Sequence, residues 1–195
     1  MNPTTEPPAS SAKRELLLDT AWDLFCRNGY RAVGIDTVLA AAGVAKMTLY
    51  NHFDSKEDLI AAAMTKKAAE FAASLDATIE GAGRNPAKRL LAVFDWLEAW
   101  FSTESFTGCA FLKAVGEFPG PGDKPRLAAI AFKRGLQTRL EQLCAEAGLR
   151  HPPALARQLM LLVDGATIHA DMHSSAAYAR DARTAAKALI EAGAR

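Results

Sequence analysis

Residues Gly34 to Ile60 read GIDTVLAAAGVAKMTLYNHFDSKEDLI, and the fold follows from how that stretch is punctuated. Ile35, Val38, Leu39 and Ala42 fall at i, i+3, i+4 and i+7, the apolar stripe of a two-turn helix. Gly43 supplies the left-handed residue that ends such a helix, and a second short helix predicted to reach Phe53 follows almost at once. In it Ala45, Leu49 and Phe53 are spaced by four and are expected to pack inward. Lys46, Met47, Tyr50 and Asn51 lie on the opposite side, flanked by Thr48 and His52 at i, i+4. Two helices this short are not stable alone. They need a helical platform, and the pair has the form of a helix-turn-helix, whose second member is the one presented to a DNA major groove.

The platform lies on either side. A first helix is predicted from about Ala12 to Asn28, with Ser10 or Ser11 as N-cap. Its stripe is Leu17, Ala21, Leu24 and Phe25, and Gly29 is its stop. Ser55, with Asp58 three residues on, reads as a capping box opening a long helix to about Ile79. Gly81, Gly83, Asn85 and Pro86 break the chain. A helix from Pro86 to Phe101 then carries Leu90, Phe94, Leu97 and Phe101 on one face, with Trp96 and Trp100 beside them. Gly108 to Phe118 is a further helical segment, PGPGDKP (Pro119 to Pro125) a loop, and helices follow at 125–147, 153–173 and 176–193. Alanine-rich sequence without β-branched runs bounded by turns predicts an all-α protein of about nine helices. The expected organisation is a flexible N-terminal arm (1–11), a helix-turn-helix head (12–60) and a larger helical ligand-binding and dimerisation domain (61–195).

Composition constrains the partners. The net charge is +1, and Lys13 to Lys67 holds eight Lys/Arg against seven Asp/Glu. A nucleic-acid partner is therefore not announced by bulk charge, and any DNA contact rests on the placement of a few residues. Three scattered cysteines without CxxC spacing argue for a reducing compartment. The N-terminal MNPTTEPPASS lacks the basic and apolar regions of a signal peptide, and no apolar run is long enough to cross a bilayer. A cytoplasmic protein without a membrane partner is expected. No nucleophile–base pair, carboxylate pair or phosphate-binding glycine loop is evident, so the chain does not read as an enzyme, and no cofactor is expected.

The quoted stretch resembles the DNA-binding head of the tetracycline-repressor (TetR) family of bacterial regulators. The resemblance is carried by Ala42-Gly43-Val44, Thr48-Leu49-Tyr50, His52-Phe53 and Ser55-Lys56-Glu57 before Leu59, and extends back through Ala21, Phe25, Gly29 and Tyr30. It implies that Thr48 and Tyr50 contact phosphates or base edges, and that His52 and Lys56 contact phosphates. It also implies that Lys46, Met47 and Asn51 point into the groove and set sequence preference. Thr37 is a further contact candidate. Members often carry Ser or Thr at the positions of Val33, Gly34 and Ala45, which have no hydroxyl here, and a small residue where this chain has Leu39. A helical adaptor using the head for protein contacts is the alternative reading.

The resemblance further implies a homodimer on a palindromic operator and a C-terminal domain that binds a small effector, with repression relieved on binding as the expected sign and activation as the alternative. Between Leu155 and Met172 apolar residues cover nearly the whole helix, which must then be buried on most sides. Leu155, Leu159, Leu162, Val163 and Ala166 are the expected dimer face, paired with Ala186, Leu189 and Ile190 of the last helix. The same residues would serve equally to close the protomer's own core. For the effector, aromatics cluster between Trp96 and Phe118, a density that also suits a core. The candidate ligand residues are Trp96, Trp100, Cys109, Phe111, Phe118, Met160, Asp164 and His169, which suit a mainly apolar or aromatic molecule. Asp164 and Glu117 are candidates to pair with a positive group. His169 and His173 have divalent-metal spacing but no evident third ligand, and no metal is expected. Cys109 is a redox candidate without a visible activating base.

Overall fold

A computed structural model describes residues 9–194. Those residues form nine helices and no strand: α1 (Ala9–Asn28), α2 (Ile35–Ala42), α3 (Lys46–Tyr50), α4 (Lys56–Gly81), α5 (Pro86–Phe101), α6 (Ala110–Glu117), α7 (Lys124–Glu146), α8 (Pro152–His173) and α9 (Ala177–Gly193). The chain is all-α with a helix-turn-helix near its N-terminus. The boundaries follow the punctuation closely, with two departures. Helix α1 already includes Ser10 and Ser11, so neither caps it. The third helix stops at Tyr50 rather than Phe53. Of the expected arm, residues 1–8 lie outside the described residues and 9–11 are helical.

Packing divides the chain into two units. The first comprises residues up to Ala68 together with Ala110–Ile130; the second comprises Ala69–Cys109 and Ala131 onward. Segment 110–130, drawn from sequence as part of the body, is thus packed with the head.

In the first unit α1 buries Leu17, Leu18, Ala21, Trp22 and Phe25. Helix α2 adds Val38, Leu39 and Ala42, α3 adds Leu49, and α4 adds Leu59, Ile60, Ala63 and Met64. Each such side chain contributes about 1.5–3 kcal/mol by leaving water. Gly43 takes φ 64°, and its neighbour's N–H (Val44) donates to the Leu39 carbonyl at 3.2 Å, closing α2 as a Schellman-type turn. Ser55 caps α4 as expected: its Oγ accepts from the Asp58 N–H at 3.1 Å and donates to the Asp58 carboxylate at 2.7 Å. Lys66 joins α4 to α1 through Asp19 at 2.7 Å and Glu15 at 2.9 Å. The hydrogen bond from Lys66 holds Glu15 below the usual carboxylate range. At Asp19 burial opposes ionisation, but hydrogen bonds from Lys66 and Lys67 outweigh it and the pKa is again lowered.

The second unit is a helical body. Its core joins Leu90, Val93, Phe94 and Leu97 of α5 with Leu140 and Leu143 of α7, a long stripe of α8, and Ala179, Ala182, Ala186 and Ile190 of α9. The α9 alanines let that helix lie close against α5 and α8. Arg180–Glu98 and Arg183–Asp95 pairs tie α9 to α5 at the surface, where such pairs are worth about 0–1 kcal/mol each. Asn85 caps α5, its Oδ1 accepting from the Lys88 N–H at 3.1 Å. Burial pushes the Cys144 thiol up to about 11, so at neutral pH it is not a reactive thiolate.

Candidate nucleic-acid interface

Helix α3 is five residues long and has only Leu49 buried. Leu49 and Phe53 lock it to the head from below, as their spacing predicted. Ala45, expected to pack with them, is instead exposed: it is the N-cap, with φ −72° and ψ 149°. The cap position projects the residue off the helix axis, which is why a strict i, i+4 count misplaces it. Neither Gly34 before α2 nor Ala45 before α3 offers a side-chain cap. The missing hydroxyls noted in the sequence are therefore missing caps. Ala45→Ser introduces one without strain, since the backbone is already in the extended region that N-caps use. Thermal denaturation is expected to show a stabilisation of about 0.5–1 kcal/mol, a rise in Tm of about 1–4 °C. An unchanged or lower Tm would mean the α3 N-terminus is not limiting.

The outward face of α3 carries large side chains that none of the described residues cover. Met47 is 72% exposed and Tyr50 45%. Lys46 and Asn51 are exposed too, as is Thr37 on α2. Lys46 reaches Asp36 only loosely, at 3.7 Å. Thr48, His52 and Lys56 are half-buried at the margins of this face, and the His52 ring lies beside that of Phe53, with centroids 6.2 Å apart. Lys56, the first residue of α4, donates from Nζ to the Arg31 carbonyl at 3.3 Å. Burial lowers its pKa, while the Glu117 carboxylate works against that shift and Arg31 with it. Sequence reasoning missed Arg31, an exposed cation of the head whose guanidinium lies 5.8 Å from the Phe118 ring centroid. A lone arginine after the Gly29 turn gives no periodic signal.

The ligand candidates separate between the units. Phe111 packs on Trp22 (centroids 5.7 Å apart) and Phe118 on Tyr30 (5.9 Å), so both rings are engaged in the core of the head unit. Trp96 and Trp100 belong to an aromatic cluster of the body. Trp100 lies 5.6 Å from Phe71 and 5.1 Å from Phe106, and Phe71 lies 6.3 Å from Phe132. The Trp96 indole N–H donates to Ser74 at 3.0 Å. Cys109 is buried in the body. Asp164 is paired with Lys133. With Met160 it borders an open groove of about 470 Å³, lined also by Gln137, Ala154, Arg157, Gln158 and Leu161. Glu117, offered from sequence as a partner for a charged ligand, instead accepts backbone N–H groups of the head. His169 is stacked face to face with His173, and Tyr178 lies against both rings.

The residues expected at a dimer face are largely buried within the protomer. Leu155, Leu159, Val163, Ala166, Ala186 and Ile190 all lie in the protomer's own core, with Leu162 and Leu189 partly buried against it. The apolar residues that α8 turns outward are Leu161, 73% exposed, Ile168 and Met172. With Gly165 they follow i, i+4, i+7, i+11, a spacing that was present in the sequence but assigned to no face.

Comparison with known proteins agrees with this geometry. Residues 17–63 match the family model for bacterial regulatory proteins of the tetR family. The chain is 43% identical over 61 residues to the HTH-type transcriptional repressor KstR2 of Rhodococcus jostii, a match spanning 29% of this chain and 30% of that protein. It is 28% identical over 173 residues to the transcriptional regulator AcuR of Cereibacter sphaeroides, spanning 85% of this chain and 79% of that one. The crystal structure of a TetR-family transcriptional regulator from Streptomyces coelicolor superposes with a TM-score of 0.87 at 28% identity, covering 95% of this chain and 97% of the other. Residues 17–63 thus match the tetR family of bacterial regulatory proteins, and the whole fold is that of TetR-family transcriptional regulators, which are DNA-binding proteins and not enzymes.

Proposed function

We propose that the protein is a cytoplasmic homodimeric repressor that binds a palindromic operator through α2, α3 and the start of α4. A small, largely apolar or aromatic molecule bound in the helical body releases it. The observation that carries the DNA reading is the outward face of α3. A five-residue helix anchored by Leu49 exposes Met47 and Tyr50 beside Lys46 and Asn51. Two bulky side chains left in water on a rigid platform are what groove recognition uses. Thr48, His52 and Lys56 at the margins are the phosphate contacts, and Thr37 adds a contact from α2.

The second copy docks on the outward stripe of α8. Leu161, Ile168 and Met172 form an unpartnered apolar row. Helix α9 presents Thr184, Ala185, Ala188 and Ala192 outward, small enough for close helix approach across a two-fold axis. The effector reading rests on the half-buried rings of Phe71, Trp96, Trp100, Phe106 and Phe132. An effector releases DNA only if it binds the DNA-incompetent arrangement more tightly.

The test is binding to a fluorescent duplex from the promoter region beside the protein's own gene, at two salt concentrations and with competitor DNA. Saturable, salt-sensitive binding that outlasts competitor is the expected result. Loss of binding to competitor at every palindrome tried would favour a head used for protein contacts. The same assay then scores aromatic and apolar compounds for release.

A further inference from the structure

Helix α6 is held to the turn after α1 at both of its ends. At its start, the buried Tyr30 hydroxyl donates to the Ala110 carbonyl at 3.1 Å. At its end, Glu117 takes two successive backbone N–H groups, one carboxylate oxygen accepting from Tyr30 at 3.1 Å and the other from Arg31 at 2.7 Å. The sequence prepares this. Helix α1 ends at Asn28, and Gly29 at φ +84° turns the chain so that the next two N–H groups point together into a small anion cradle. A Cβ on Gly29 would stand 3.3 Å from the Glu117 carboxylate, so the glycine is also what allows the acid to come this close.

Arg31 is thereby fixed from several directions. Its N–H is held by the Glu117 carboxylate, its Nε donates to the Glu117 carbonyl at 2.8 Å, and its guanidinium lies against Phe118. Its carbonyl receives Lys56 Nζ. Lys56 has no carboxylate within ion-pair distance among the described residues. The Arg31 carbonyl is the polar atom that locates its ammonium, leaving two of three N–H donors free.

We propose that Glu117 is a positioning residue for DNA binding: by fixing the Arg31 backbone it sets the carbonyl that holds the Lys56 ammonium in place for a phosphate. This rests on the reading of Lys56 as a phosphate contact. The chain of contacts runs from the Glu117 carboxylate to the Arg31 N–H, through the Arg31 backbone to its carbonyl, and on to the Lys56 ammonium, all within the head unit. Glu117→Gln keeps the shape but turns an amide N–H toward one of the two backbone donors, so that bond is lost with the charge.

The experiment is a double-mutant cycle read by anisotropy on the operator duplex at several salt concentrations, with wild type, Lys56→Gln, Glu117→Gln and the double variant. Lys56→Gln is expected to weaken binding about tenfold at each half-site and to reduce the salt slope by about one per half-site. Glu117→Gln is expected to weaken it about three- to tenfold with a similar loss of slope, and to add less than about twofold in the Lys56→Gln background. If Glu117→Gln costs the same factor with and without Lys56, the acid acts on the head in general and the proposal is overturned. If Lys56→Gln changes neither affinity nor slope, the phosphate assignment itself fails and takes the proposal with it, a result recognisable from Lys56→Gln alone. Should Glu117→Gln not fold, Glu117→Asp, one methylene shorter and able to reach one N–H, is expected to give an intermediate loss that again vanishes without Lys56. A loss that persists without Lys56 overturns the proposal here too.

Discussion

Replacing Tyr50 and Lys56 together with alanine is expected to abolish retention of the operator duplex while leaving the protein folded. Tyr50 is nearly half exposed, and its hydroxyl has no hydrogen-bond partner among the described residues, so little of the head depends on it. Lys56 contributes a single 3.3 Å bond to the Arg31 carbonyl. The packing of α3 and α4 rests on Leu49, Phe53, Leu59 and Ile60, which the substitutions do not touch, and surface changes of this kind usually move stability by less than about 0.5 kcal/mol. On DNA the loss is much larger. Each phosphate or base-edge bond to a charged group is worth about 1.5–3 kcal/mol. The pair removed from each half-site therefore weakens binding by at least about a hundredfold. Removal of Lys56 should also flatten the salt dependence. Gel retardation and anisotropy measure the first effect, and circular dichroism melting confirms the fold. A variant that still shifts the duplex would show that the interface lies elsewhere on the head.

The second large effect concerns assembly. Leu161→Glu combined with Met172→Glu should convert a dimer to a folded protomer. Both side chains are about 70% exposed on the protomer, so charges there leave its own core intact. In an interface along this stripe each carboxylate would be stripped of water opposite apolar groups, at a cost of several kcal/mol apiece, enough to raise the dissociation constant by well over a hundredfold. Light scattering should report the protomer mass, and operator affinity should fall in parallel, because one head alone grips half the site. Substituting the buried Leu159 gives the contrasting outcome, a loss of about 2–5 kcal/mol of protomer stability. A double-glutamate variant that stays dimeric would place the seam on another face.

Helix limits were legible because glycine, proline and asparagine mark them chemically: Gly29, Gly43, the Asn85 cap and the Pro152-Pro153 pair each sit where an element ends or begins. The exposed face of α3 was legible for the same local reason, since a five-residue helix with one buried leucine has few ways to face. Helix α8 was harder. It is apolar on two sides, and periodicity identifies stripes without saying which one meets the protomer's own core; the α9 alanines, far along the chain, decide that. The aromatic run from Trp96 to Phe118 is contiguous in sequence but divided between the two units. Phe111 and Phe118 pack with rings of the head, whereas Trp96 and Trp100 pack within the body. Glu117 illustrates the limit most sharply. Its partners are 86 and 87 residues away and are backbone N–H groups, which no side-chain pattern can advertise.

With the outward apolar row of α8 as the proposed dimer seam, gene control would also be tied to dosage. Wherever the regulator is scarce relative to its own dimer dissociation constant, dimer abundance follows the square of the protomer concentration, so halving synthesis leaves about a quarter of the operator-binding species. Under the proposed repressor reading, such a promoter would open by dilution during rapid growth and close abruptly once the regulator accumulated past its threshold.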